Sequence, residues 1–243
     1  MGKSGDEADV TSFQSRCGMN DIGTLNEKSL HASLKEWYAR PGDRFEVSID
    51  GFVIDILRDK LLVEIQTSGF SSIKRKVQAL AANHRLRLVY PIASEKWIVR
   101  LAKDGDSTVL SRRRSPKRGS LEQVFRELVS FPKLMANPNF SLEVLLILEE
   151  EVRRHDKNRG WRRGGWITHE RRLLDVVKQR VFKGPMDLLA FIPLNLSDSW
   201  TTADLAAAIG QPRWLAQKMV YCLREAGAVS VVGKQGNAIL YAR

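Results

Sequence analysis

Cysteine is scarce in this chain. Its 243 residues hold two, Cys17 and Cys222, with no CxxC spacing. That excludes a disulfide framework and a thiolate metal site, and it suits a reducing compartment. Long apolar runs are missing as well. No stretch approaches the roughly eighteen apolar residues of a membrane span. The opening MGKSGDEADVTSFQSRCGMNDIG lacks the apolar centre of a signal peptide. The expectation is a cytoplasmic protein with no membrane association. Acidic residues are the minority, 28 against 39 Lys and Arg, for a formal net charge of +11. A balance this basic favours polyanionic partners, nucleic acid first and an anionic membrane surface second. A merely solubilising surface is the plainer alternative. Hydrophobic residues make up 43%, enough to bury a core.

Residues 1–23 are polar and aperiodic and read as a disordered or loosely packed tail. A helix signal starts at Thr24-Leu25-Asn26-Glu27, continues through Leu30, Leu34 and Trp37, and breaks at Pro41-Gly42. Three strands follow, Phe45–Ile49, Phe52–Leu57 and Leu61–Thr67, joined by the two-residue turns Asp50-Gly51 and Asp59-Lys60. Ile73, Val77, Leu80 and Ala81 mark one face of a helix from Ser71 to about Asn83. Two strands, Arg85–Ile92 and Lys96–Leu101, complete an αβββαββ order over residues 24–102.

Residues 103–183 are a basic extension of this core. Ser111–Ser120 reads as a loop or hairpin arm, and Leu121–Leu134 as helical. Leu142–His155 and Arg172–Phe182 favour strands, with a helix as the alternative. Residues 184–243 hold a short helix opened by Pro185, a capped helix Ala203–Ile209 and a longer helix from Pro212. A closing hairpin, Val229–Val232 with Ala238–Tyr241, turns at residues 233–237.

Side chains alternate faces along a strand. In the second strand Phe52, Ile54 and Ile56 share one face, and Val53, Asp55 and Leu57 the other. The Asp59-Lys60 turn sets Asp55 opposite Glu64 on one face, flanked by Leu57 and Leu62. Facing carboxylates repel across a strand pair, and burial raises the cost of ionising both. A divalent cation, Mg²⁺ or Mn²⁺, would relieve both penalties, so Asp55 and Glu64 are the candidate metal ligands. Gln66 points the same way and is placed to orient a nucleophile or phosphate. Glu27 is either a further site carboxylate or the partner in a Thr24-x-x-Glu27 capping box. Lys74 is either a phosphate-neutralising cation or a surface lysine. A solvent-facing hairpin whose charges do nothing is the alternative for the pair. His31 and His84 are isolated and read as structural or surface residues.

Over residues 24–101 the sequence resembles the PD-(D/E)XK, or restriction-endonuclease-like, superfamily. The resemblance implies a mixed α/β fold with an αβββαβ core and metal-dependent phosphodiester hydrolysis. It makes Asp55 the first acid and Glu64 the second, with Gln66 in the usual place of lysine. Glu27 matches the first-helix glutamate of the branch that includes archaeal Holliday-junction resolvases. Residues 184–243 resemble the winged helix-turn-helix family, which implies a positioning helix at Ala203–Ile209, a recognition helix at Pro212–Ala226 and a wing at Val229–Tyr241. Recognition helices present their N-terminal residues to the major groove. Arg213, Gln217 and Lys218 then become the DNA-contacting residues, with Lys234 on the wing and Leu215, Met219, Val220 and Leu223 packed inward. The implied partner is double-stranded DNA. A winged helix used for protein contacts or a homodimer is the other option. A catalytically inactive DNA-binding or regulatory protein is the alternative to the endonuclease.

Overall fold

The computed structural model describes residues 28–102 and 108–243, with the side chains of Lys28, Ser29 and Arg163 left aside. Helix α1 (Lys28–Tyr38) precedes a meander of β1 (Arg44–Ile49), β2 (Phe52–Arg58) and β3 (Leu61–Ile65). Asp50 and Gly51 both have positive φ, 50° and 78°. That is the geometry that lets a two-residue turn follow the strand twist. Helix α2 (Phe70–Asn83) then carries the chain across to β4 (Arg85–Leu101), which lies parallel to β3.

The two strands expected after α2 are a single strand. Pro91 does not break it, because β3 pairs with β4 only as far as Val89 and no ladder donor is lost beyond that level. A register shift between Ala93 and Glu95 takes up the irregular stretch. Strand β5 (Val109–Arg114) folds back on the far half of β4, as the basic arm suggested. The helix expected over Leu121–Leu134 is broken into a 3₁₀ turn at Leu121–Val124, α3 (Phe125–Leu128) and another 3₁₀ turn opened by Pro132. Two long strands, β6 (Phe140–His155) and β7 (Trp166–Phe182), complete a mixed seven-stranded sheet of order β1-β2-β3-β4-β6-β7, with β5 on β4.

Alternation along the inner strands feeds two apolar layers. Leu62, Leu88 and Val144 pack with Val77 and Leu80 of α2. Their neighbours Val63, Val89 and Leu145 pack with Leu30 and Leu34 of α1 on the opposite face. Each fully buried leucine or valine contributes about 1.5–3 kcal/mol of transfer free energy. Tyr38 is buried and Trp37 is exposed, so the inner face of α1 runs through Leu30, Leu34 and Tyr38 rather than Trp37.

Past β7, α4 (Pro185–Leu188) leads to α5 (Thr202–Ala208) and α6 (Arg213–Glu225), then to the hairpin β8 (Ser230–Gln235) and β9 (Ala238–Ala242). The hairpin turns at Gly236-Asn237, within the expected 233–237, because β8 runs on to Gln235. Thr201 and Asp204 form a reciprocal capping box at the start of α5. Leu215, Met219, Val220 and Leu223 of α6 are buried, as the spacing predicts. They belong to the same core as Leu62 and Val77. Among the described residues, no helix is long and apolar enough to cross a membrane.

Candidate functional site

The β1-β2-β3 meander keeps the predicted register: Ile56 faces Val63 and Leu57 faces Leu62. Continued by one step, that register puts Asp55 level with Glu64. Backbone pairing stops there, however, because the Asp55 side chain intervenes. Its Oδ2 accepts a hydrogen bond from the Ile65 amide at 2.7 Å. The face also switches at this point. Ile54 packs with the α2 layer and Ile56 with the α1 layer, although strict alternation puts them together. On the neighbouring strand Glu46 adopts φ 54°, a left-handed conformation that costs a non-glycine residue energy. The sheet is distorted where its carboxylates gather.

The distortion changes the arrangement read from alternation. Asp55 and Glu64 do not share one face as a simple pair. Asp55 turns to α1, where His31 Nε2 lies 3.1 Å from its Oδ2. Glu64 turns to α2, where Lys76 Nζ donates to its Oε1 at 2.6 Å and also to the Val53 carbonyl. Glu64 is 6% exposed, and its Oε2 is buried with no hydrogen-bond partner among the described residues.

The electrostatics follow from these contacts. Burial pushes the Glu64 carboxyl above its usual range, the charge of Asp55 pushes it further, and Lys76 only partly opposes them. Burial also pushes Asp55 upward, but there the hydrogen bonds from His31 and the Ile65 amide win and hold its pKa below the usual value. His31 is raised, because its bond to Asp55 outweighs its own burial. Near neutral pH the site therefore holds one firmly ionised carboxylate beside one that is costly to ionise.

Other residues fall differently. Lys74 is exposed on α2 and makes no ion pair among the described residues; Lys76 is the lysine that reaches the carboxylates. The helical spacing already contains the reason, since Lys76 lies three residues after Ile73 and four before Leu80, on the flank of the buried face. Gln66 does not join the carboxylates. Its amide bonds to the Ser68 and Gly69 carbonyls, closing the turn into α2. Glu27 and its capping box lie outside the described residues, as does Cys17. His31 was missed, although it stands one turn from Lys35 on the side of α1 that overlies β1 and β2 and binds Glu46 at 2.8 Å through that lysine.

At the C-terminus, Arg213 and Gln217 project from α6 together with Tyr221 and Arg224. With Asn237 and Ile239 of the hairpin they line a groove of about 290 Å³. Lys234 is exposed on β8; Lys218 is half-buried and outside the groove.

The chain belongs to a family known by a domain of unknown function, DUF8091, whose model matches residues 28–183, α1 through β7. The chain is also similar to an uncharacterised protein of Treponema pallidum (strain Nichols), 30% identical over 186 residues, or 76% of this chain and 73% of that one. No solved structure matches it.

Proposed function

We propose that the chain is a metal-dependent, nuclease-like protein that hydrolyses phosphodiester bonds in double-stranded DNA. The order α1-β1-β2-β3-α2-β4, with β4 parallel to β3, supports the PD-(D/E)XK reading of its first part. One observation carries the metal. Glu64 Oε2 is a buried acceptor with no partner among the described residues, near a second carboxylate whose charge raises its pKa. A group left that way costs about 1–3 kcal/mol, and a cation shared with Asp55 would remove the cost. Mg²⁺ or Mn²⁺ held by Asp55 and Glu64 would polarise a phosphodiester oxygen. Around it, His31 holds Asp55 ionised and oriented, and Lys76 both fixes Glu64 and supplies positive charge for a phosphate. Lys76 then does from α2 what a lysine at position 66 does elsewhere in the superfamily.

The C-terminal pair α5 and α6 with the β8–β9 hairpin is read as a winged helix. Arg213 and Gln217 stand at the exposed N-terminal half of the recognition helix and Lys234 near the wing tip. Incubating purified protein with DNA and Mg²⁺ or Mn²⁺ should give nicks or cuts. Asp55→Ala should reduce the rate at least a hundredfold while leaving the far-ultraviolet spectrum intact. Cutting that survives in a folded Asp55→Ala variant dismisses the assignment. The second reading, a DNA-binding or regulatory protein without catalysis, is favoured by Gln66, which is neutral and whose amide is committed to a turn. It predicts salt-sensitive binding and no cleavage of any DNA form.

A further inference from the structure

A second site lies beyond the end of β3. The segment after β5 (residues 115–119) and the wall made by the 3₁₀ turn and α3 enclose an open cleft of about 830 Å³, floored by β4, β6 and β7. Thr67, three residues after Glu64, lies at its edge. Lys96, Arg153 and Arg171 come from the floor; Arg113, Lys117, Arg118 and Arg126 come from the walls. Against these seven cations stand three carboxylates, Glu127, Glu149 and Glu151.

All three carboxylates are already engaged. Glu149 is fully buried and held by both Arg171 nitrogens, at 2.9 and 2.8 Å, and by Lys96 at 3.0 Å. Glu151 bonds Lys96, Arg153 and Thr168. Those cations hold its pKa down at about 2 against its burial. Glu127 accepts the Phe70 amide at the start of α2. The wall cations are not engaged in this way. Arg113, Lys117 and Arg126 make no ion pair with a carboxylate among the described residues, and Arg118 reaches Glu95 only at 3.9 Å. The floor is a fixed, nearly neutral network, and the walls carry a surplus of positive charge facing the opening. Gly119 packs the wall segment tightly onto β4, since a Cβ there would lie 2.4 Å from the Ala93 carbonyl oxygen.

The surplus calls for a phosphate-bearing ligand, and the position of the cleft favours an extended one. One end adjoins the strand of Glu64. At another, the Arg126 guanidinium lies over the Trp214 ring at 5.7 Å, in the first turn of α6. A volume of this order takes a drug-sized ligand, or a few nucleotides of one strand, but not a duplex. We infer that this cleft holds a single nucleic-acid strand by its phosphates, on the path between the carboxylates and α6. The inference rests on the reading that the partner is a nucleic acid.

The test measures binding of a fluorescein-labelled single-stranded DNA dodecamer to the full chain in EDTA, by anisotropy at several salt concentrations. Arg113→Ala/Lys117→Ala should weaken binding at least tenfold and lower the slope of log affinity against log salt by about 1.4, at roughly 0.7 per phosphate contact on a single strand. Melting temperature should be unchanged, because neither side chain makes an ion pair among the described residues. Unchanged affinity and slope in the folded double variant would overturn the inference. So would a mononucleotide or inorganic phosphate that binds as tightly as the dodecamer, since the cleft would then be a small-ligand pocket. The two readings separate cleanly. Cutting without any effect of the wall variant on binding leaves the carboxylate site standing and removes the cleft. Wall-dependent binding without any cutting keeps the cleft and removes the carboxylate chemistry.

Discussion

Glu64→Gln should make the metal-free protein more stable while removing its response to metal. In wild type the buried carboxylate lies within the field of Asp55, its Oε2 unpaired among the described residues, a defect worth about 1–3 kcal/mol. The amide keeps an acceptor for Lys76 and replaces a second anion near Asp55 with a neutral donor. Its bond to Lys76 is weaker by about 1 kcal/mol, the difference between charged and neutral acceptors. The net gain is about 1 kcal/mol, or roughly 2–4 °C in melting temperature for a chain of this size. The pH dependence fixes the sign. The Glu64 pKa is raised above the usual glutamate value of 4.5. Its contribution to stability is therefore fully present below 4.5 and is lost as pH rises through the higher folded value. The advantage of glutamine should vanish near pH 4 and be complete at pH 8. Divalent cation at about a hundred times its dissociation constant adds about 2.7 kcal/mol to the protein that binds it. Mn²⁺ should then raise the wild-type midpoint by about 5–10 °C and leave Glu64→Gln unmoved. Scanning calorimetry in EDTA and in Mn²⁺ gives both numbers. A variant less stable than wild type at pH 8 in EDTA, or one that keeps the Mn²⁺ shift, refutes the reasoning.

Three further outcomes follow from separate features. His31 has a raised pKa through Asp55, so its pairing stabilises the fold fully below about pH 6.5 and fades as pH climbs through the folded value; urea unfolding of wild type and His31→Gln should differ more at pH 6 than at pH 9. Glu149→Ala leaves Arg171 and Lys96 without their buried partner and should cost about 3–5 kcal/mol, whereas a loss below 1 kcal/mol in denaturant melts would show the network to be dispensable. Thr201→Ala removes the hydroxyl of the capping box and should cost about 1 kcal/mol, while Thr202→Ala at the next position should cost less than half of that.

The meander and α2 were legible because each carries its own local signal. Asp50-Gly51 and Asp59-Lys60 mark turns wherever they occur between apolar strands, and Ile73, Val77 and Leu80 repeat at helical spacing. The register that levels Asp55 with Glu64 was legible for the same reason. The facing of those residues was not. It depends on a side chain replacing a backbone acceptor at the Ile65 amide, and no period records such an exchange. His31 was hidden because its partner lies 24 positions away and because Trp37 drew the expected helix face toward solvent. The stretch from Ala93 to Glu95 misled in the opposite direction. It separates two apolar runs in the sequence, yet the strand continues through it by shifting register against β6. The floor of the cleft was invisible for a similar reason, since Lys96, Glu149 and Arg171 meet only after three distant strands are laid side by side.

Strand β7 is the outermost member of its sheet and 17 residues long. A flat ribbon of that length would template the addition of another chain along its free side. Three register shifts against β6 corrugate it, and its Arg and Lys residues outnumber Glu170 and Asp175. Two molecules meeting along this margin would have to mate uneven ridges and bring two net-positive strands together. The protein should thus stay dispersed at high concentration in low salt, and any association between copies should use a different surface.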